Sequence, residues 1–215
     1  MREPDGRRAR GQRTRASILA SAVDLASVEG LEGLTIGRLA TSLEMSKSGL
    51  FAHFGSKEEL QLEVIQAARE IFVERIVEPT RAIERGLPRL RALLDAKLDY
   101  LRGGVFRGGC FFDAARAEFD SRPPGPVRAA VEQQMVDWSE LMTKLVAAAQ
   151  REGHIDPDLE SAQLAFELDS YYSAANVAFQ FHGDPAIFDR AHQAATQRLE
   201  SAAVKPSAPV RTSRR

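Results

Sequence analysis

Cysteine is nearly missing from this sequence: Cys110 stands alone. No intramolecular disulfide can form, which excludes a small secreted scaffold held by bridges. No run approaches 18 uninterrupted apolar residues, so no helix is expected to span a membrane. The basic start, MREPDGRRARGQRTR, has no apolar stretch behind it and does not read as a signal peptide. Sustained alternation of β-branched residues is lacking, which argues against strands. Nucleophile elbow, glycine-rich phosphate loop and HExxH are all absent. His154, His182 and His192 show no metal-ligand spacing with Cys or Glu. The sequence therefore leads us to expect no enzyme, cofactor or metal site, and a reducing cytoplasm as the compartment.

What is present suits one or two folded domains. Of 215 residues, 44% are hydrophobic and 27% charged, enough for a real core. The net charge of −1 hides a division. Residues 1–15 carry +4 and residues 205–215 another +4, leaving −9 between them. Basic ends flank an acidic body. Residues 204–215 lack apolar periodicity and read as a disordered basic tail, and residues 1–13 as a disordered basic arm.

Helix signals fill the rest, predicting an all-α fold of about nine helices, three short and six mostly longer. From Thr14, the positions Ile18, Ala22, Leu25 and Val28 form an amphipathic stripe that Gly30 stops. Thr35 suits an N-cap for a short helix from Ile36 to Leu43, and Ser46 for another to about His53. Ser56 and Glu59 form a capping box opening a long helix that runs to about Pro79. Further helices are predicted over about 88–101, 110–119, 127–151, 157–181 and 185–201, from proline and glycine punctuation.

The stretch 34–60, LTIGRLATSLEMSKSGLFAHFGSKEEL, is the informative one. Two short helices meet at a tight turn around Glu44-Met45, with a helix before them. This is the helix-turn-helix pattern, whose second short helix enters the DNA major groove. Leu39, Ala40 and Leu43 suit the inner face of the first short helix, and Met45, Leu50 and Phe54 that of the second. Ser46, Lys47, Ser48, Gly49 and His53 are left toward solvent or DNA. Glycine is about 1 kcal/mol worse than alanine in a helix, so Gly49 suggests a close approach to the backbone there.

These residues resemble the TetR (tetracycline-repressor-like) family of transcriptional regulators. The likeness rests on the opening helix with Ala22, on Leu34-Thr35-Ile36 through Leu39-Ala40, on Ser46 through Phe51, on His53-Phe54 and on Ser56 through Leu60. It covers about residues 14–62. It implies a helix-turn-helix domain over 14–56 and a helical regulatory and dimerising domain over 57–203. It implies a homodimer on double-stranded, palindromic operator DNA, most simply a repressor released by a small, largely apolar effector. An activator or ligand-independent regulator on the same scaffold is the alternative, and a helical small-molecule-binding protein without a DNA role a third reading. Thr35 would meet a phosphate from its helix N-terminus. Lys47 and Ser48 would face base edges or phosphates, His53 the DNA backbone or its own helix end, and Lys57 a phosphate. The family pattern has Tyr where this chain has Phe51, which cannot donate a hydrogen bond to phosphate; its ring is expected to pack. Arg7, Arg8, Arg10 and Arg13 would enter a minor groove, screen phosphates or act as a solubility tail.

Residues 61–201 carry −6, so only the first domain should touch DNA. Phe72, Tyr100, Phe112, Met135, Trp138, Met142 and Tyr171 are core by default. By resemblance, some line an apolar effector cavity with Trp138 and Tyr171 as polar handles. Cys110 reads as a buried inert thiol or, if exposed, a redox sensor. Ala174, Val177, Ala178, Phe181, Ala191 and Ala195 alternate small and large on the last two helices. They suit a four-helix bundle shared by two subunits, or packing within the chain.

Overall fold

Apolar spacing near 3.6 residues makes α1 (Pro4–Glu29) bury Ile18, Ala22 and Leu25 against the rest of the chain. The computed structural model describes residues 4–204, with side chains from Gly11 onward. Residues 1–3 and the tail from 205 lie outside the described residues, as do the side chains of Arg7, Arg8 and Arg10. The helix begins at Pro4, ten residues before the predicted start, so Arg13 is an exposed helical residue and not part of a loose arm. Proline is preorganised for a first turn, and Arg, Ala and Gln between 7 and 13 are strong helix formers that offset Gly6 and Gly11. Val28, read into the buried stripe, is 54% exposed.

The next three helices are α2 (Ile36–Ser42), α3 (Lys47–Phe54) and α4 (Lys57–Phe72). Each is capped by the residue the sequence proposes. The hydroxyls of Thr35, Ser46 and Ser56 accept from the N–H groups of Arg38, Gly49 and Glu59, each at 3.1 Å. Ser56 N–H donates to Phe54 O, so its half of the capping box closes on the backbone. The long helix does not run unbroken to Pro79. It passes after Phe72 into a π-helical segment, Val73–Val77, and a 3₁₀ turn, Glu78–Thr80. Pro79 lacks the N–H an α-helix needs there, and Val73, Ile76 and Val77 are β-branched.

The body adds α5 (Leu87–Arg102), α6 (Phe111–Phe119), α7 (Pro126–Arg151), α8 (Ser161–His182) and α9 (Ala186–Ala202). The α8 helix starts four residues later than Pro157 suggests. Asp156 instead accepts from Asp158 N–H in a turn, and Glu160 caps the helix through the N–H groups of Ala162 and Gln163. Among the described residues there is no strand, only one antiparallel bridge between Ile155 and Ala203. One continuous core runs from α1 through α4 into the body. Two elements reach both units: α4 packs on α1 and α7, and α6 packs on α1, α7 and α8.

Candidate DNA interface and regulatory core

Leu39, Ala40, Leu50 and Phe54 are buried, locking α2 against α3. The turn between them places Glu44 at φ 54, and Met45 N–H reaches back to Ala40 O at 3.0 Å. Arg15, which the sequence reading passed over, braces the unit. It donates to His53 O at 2.7 Å, pairs with Glu63 on α4 and lies 5.1 Å from the centre of the Phe54 ring. Its signal was its place as the last arginine of the basic run, three residues before Ile18 opens the apolar stripe of α1.

Thr35, Ser46, Lys47, Ser48 and Phe51 are exposed, and Gly49 and His53 are half-buried. Lys47 folds back over the start of α2. A Cβ on Gly37 would stand 3.3 Å from Lys47 Cε, 3.5 Å from its Nζ and 3.9 Å from Thr35 Oγ1. An ammonium, a hydroxyl and a helix N-terminus thus meet around a glycine. Gly49 has an internal reason as well, since a Cβ there would press to 3.0 Å on the capping hydroxyl of Ser46. Phe51 does not pack: it is 54% exposed on the outer face of α3. Lys57 is not free either. Its ammonium donates to Glu32 O at 2.8 Å and Glu32 Oε2 at 3.0 Å, and this bond holds the Glu32 carboxyl below the usual glutamate range.

In the body, Phe72 is the hub of an edge-on aromatic cluster. Its ring centre lies 5.0 Å from Trp138, 5.8 Å from Tyr100 and 5.9 Å from Phe112. Phe72, Phe112, Met135 and Trp138 do line a cavity, but its volume is only about 10 Å³, room for roughly one water. Tyr100 and Met142 are core, and Tyr171 is half-buried away from the cavity. Beside it opens a groove of about 370 Å³ between α4 and α7, and Phe72, Gln134 and Trp138 form the shared wall. Gln134 Oε1 is buried with no hydrogen-bond partner among the described residues.

The cavity also has polar walls. Lys97, 3% exposed, pairs with Asp169, and Trp138 Nε1 donates to the same carboxylate oxygen at 2.7 Å. Burial opposes the charge on Lys97, but the carboxylates of Asp169 and then Asp113 raise its pKa above the usual lysine value. Burial likewise works against ionised Asp169, yet the charge and hydrogen bond of Lys97 hold it below the usual aspartate range. Asp113 accepts from Ser173 Oγ and Asn176 Nδ2, both at 3.1 Å. Burial and then Asp113 push the Cys110 thiol up to about 12, so it is a protonated, buried thiol without the thiolate character a sensor needs.

On α8, Phe166, Val177 and Phe181 are 68%, 59% and 85% exposed, with Ala174 exposed and Ala178 half-buried beside them. Ala191 and Ala195 on α9 are buried within the chain, at 7% and 1%. Those two alanines let α9 approach α8 within the chain and leave no exposed surface of their own.

A three-helix helix-turn-helix unit joined through α4 to a larger helical body defines an all-α DNA-binding regulator. Residues 18–64 match the model for bacterial regulatory proteins of the tetR family, and residues 86–195 the tetracyclin repressor-like C-terminal domain. The chain belongs to the TetR family of transcriptional regulators. The HTH-type transcriptional regulator TcmR of Streptomyces glaucescens is 31% identical over 105 residues, which is 49% of this chain and 46% of that protein. The chain thus spans less than half the length of this curated relative. Solved structures show the same fold over most of the chain. A TetR transcriptional regulator from Chloroflexus aurantiacus J-10-FL has a TM-score of 0.83 at 24% identity, covering 91% of this chain and 98% of that one. The ketosteroid transcriptional regulator KstR2 of Mycobacterium tuberculosis has a TM-score of 0.67 at 16% identity, covering 89% and 96%. Among the described residues, no helix is long and apolar enough to cross a membrane.

Proposed function

We propose that the chain acts as a homodimeric repressor that binds a palindromic operator and lets go when a small, largely apolar molecule enters the body. The observation that carries the DNA side is the convergence of Lys47, Thr35 and the α2 N-terminus around Gly37. A phosphate seated there would meet an ammonium, a hydroxyl and backbone N–H groups together. Ser46 and Ser48 then face the groove, and the exposed Phe51 ring suits a thymine methyl or a sugar where tyrosine would have bonded a phosphate. Two copies must set their α3 helices about 34–36 Å apart to reach successive major grooves. The exposed apolar row Phe166, Val177 and Phe181 on α8 is the face that supports such pairing.

The groove beside Phe72 and Trp138 supports the effector side. Shifting a population from 1:99 to 99:1 takes about 5.5 kcal/mol of preference for the released state. One buried apolar side-chain contact contributes about 1.5–3 kcal/mol, so several are required and the roughly one-water cavity must open into the groove. Gln134, with its unpaired oxygen, and Trp138 are the side chains that would turn aside.

A gel shift on DNA upstream of the protein's own reading frame tests the reading. In that assay Lys57→Ala should weaken binding to operator and random duplex alike and flatten the salt dependence by about one unit. On DNA, Lys57 keeps its seat on Glu32 O and turns a further N–H to a phosphate. Binding equal to wild type across the salt series would remove the contact.

A further inference from the structure

Two N–H groups of the turn after α1 converge on a single carboxylate far along the chain. Leu31 N–H donates to Glu118 Oε2 at 2.7 Å, and Glu32 N–H to Glu118 Oε1 at 2.8 Å. Leu31 is 1% exposed, so its N–H has no access to solvent and depends on this acceptor. Turn and carboxylate are fitted to each other: Gly30 holds φ 79, and a Cβ there would stand 2.8 Å from Glu118 Oε1. From the opposite side, Gln61 of α4 donates to Leu31 O at 2.6 Å. The same turn carries the oxygens that hold the Lys57 ammonium, Glu32 O and Glu32 Oε2. Three residues after Glu32 comes Thr35, the cap of α2.

Glu118 sits in the last turn of α6, a helix that belongs to the body. Near the other end of α6, Asp113 is bonded to α8 and lines the cavity. Just before α6, Arg107 N–H and Nε donate to the Asp24 carboxylate at 3.0 and 2.6 Å, and Gly108 N–H donates to Ser27 Oγ at 3.1 Å. The segment 107–118 therefore clasps the end of α1 at two points, and its second clasp closes on the turn that seats Lys57.

We infer that Glu118 is a positioning residue for DNA binding: from the body, it fixes the 30–32 turn and thereby places Lys57. The inference rests on Lys57 being a phosphate contact, and the experiment separates the two. Glu118→Gln keeps the size but replaces one acceptor oxygen with an NH₂ that opposes an N–H. The probe is a duplex selected by the wild-type protein from a random pool. Glu118→Gln should bind it about tenfold more weakly, as for one lost charged hydrogen bond, with an unchanged helical circular dichroism spectrum. In a Lys57→Ala background the same change should cost less than about threefold, because the residue it positions is gone. A wild-type affinity for Glu118→Gln overturns the inference, and so does an equal loss in both backgrounds, which marks a purely structural carboxylate. If Lys57→Ala alone binds as wild type, the phosphate role of Lys57 fails and this routing fails with it. Should Glu118→Gln not fold, amide exchange in the wild type decides: protection of the Leu31 and Glu32 N–H groups supports the clasp, and exchange at the rate of an open loop overturns it.

Discussion

Lys97 is a charged residue in an apolar register. It lies four residues after Leu93 and three after Leu94, both buried on α5, and that placement was the signal in the sequence for an interior ammonium. Its partners could not be read, because Asp169 and Asp113 belong to other helices and only packing brings them near. Removing one partner of a buried pair costs more than the pair contributes. Asp169→Asn should destabilise the protein by about 3 kcal/mol at neutral pH in a denaturant titration. The pH dependence has a definite sign. Asp169 ionises below the usual aspartate value in the folded chain, so its contribution is complete above that value and is lost as pH falls through the lowered one. The variant should lose this part of the acid sensitivity; an unaltered acid midpoint would count against the pair. Lys97 acts oppositely: its contribution is complete below the usual lysine value and is lost as pH rises through the raised one.

The helix-turn-helix element was legible to within a residue or two because its punctuation is local. Thr35, Ser46 and Ser56 cap helices through groups three residues away, and such chemistry needs no knowledge of the fold. Where long-range packing or backbone geometry decides, the sequence misled. Phe51 was expected to pack yet is exposed, and the helix after Lys57 breaks into a π turn at Val73. That break divides what the sequence read as one long helix to about Pro79, so a tilt of α4 need not carry the 3₁₀ turn with it. Within the element, Glu44 holds a left-handed backbone that costs a non-glycine residue about 1–2 kcal/mol. Glu44→Gly relieves the strain while adding chain entropy to the unfolded state. A net gain of up to about 1 kcal/mol is expected in a thermal melt, and a lower melting temperature would contradict the argument.

Across the whole molecule, the family resemblance supplied two units but not the joint between them. The joint is made by residues more than 80 apart in sequence, Asp24 with Arg107 and the 31–32 turn with Glu118, which no periodicity can pair. Its tightest point is Gly108, where a Cβ would stand 1.9 Å from Ser27 O, a backbone atom that cannot swing away. Gly108→Ala should therefore cost about 1–3 kcal/mol and loosen the docking of α1, measured as a lower unfolding midpoint together with weaker operator binding. A variant as stable as wild type would show the joint to be slack. Trp138 has a different kind of consequence. It is the sole tryptophan of the chain, 5% exposed, on the wall between cavity and groove, with its N–H on Asp169. All indole emission from the protein thus originates at one address, a buried one between the Phe72 ring and the Lys97–Asp169 pair. Ultraviolet light alone makes this chain its own dye: a molecule that parts the wall changes the colour and brightness of the whole sample, with no label attached.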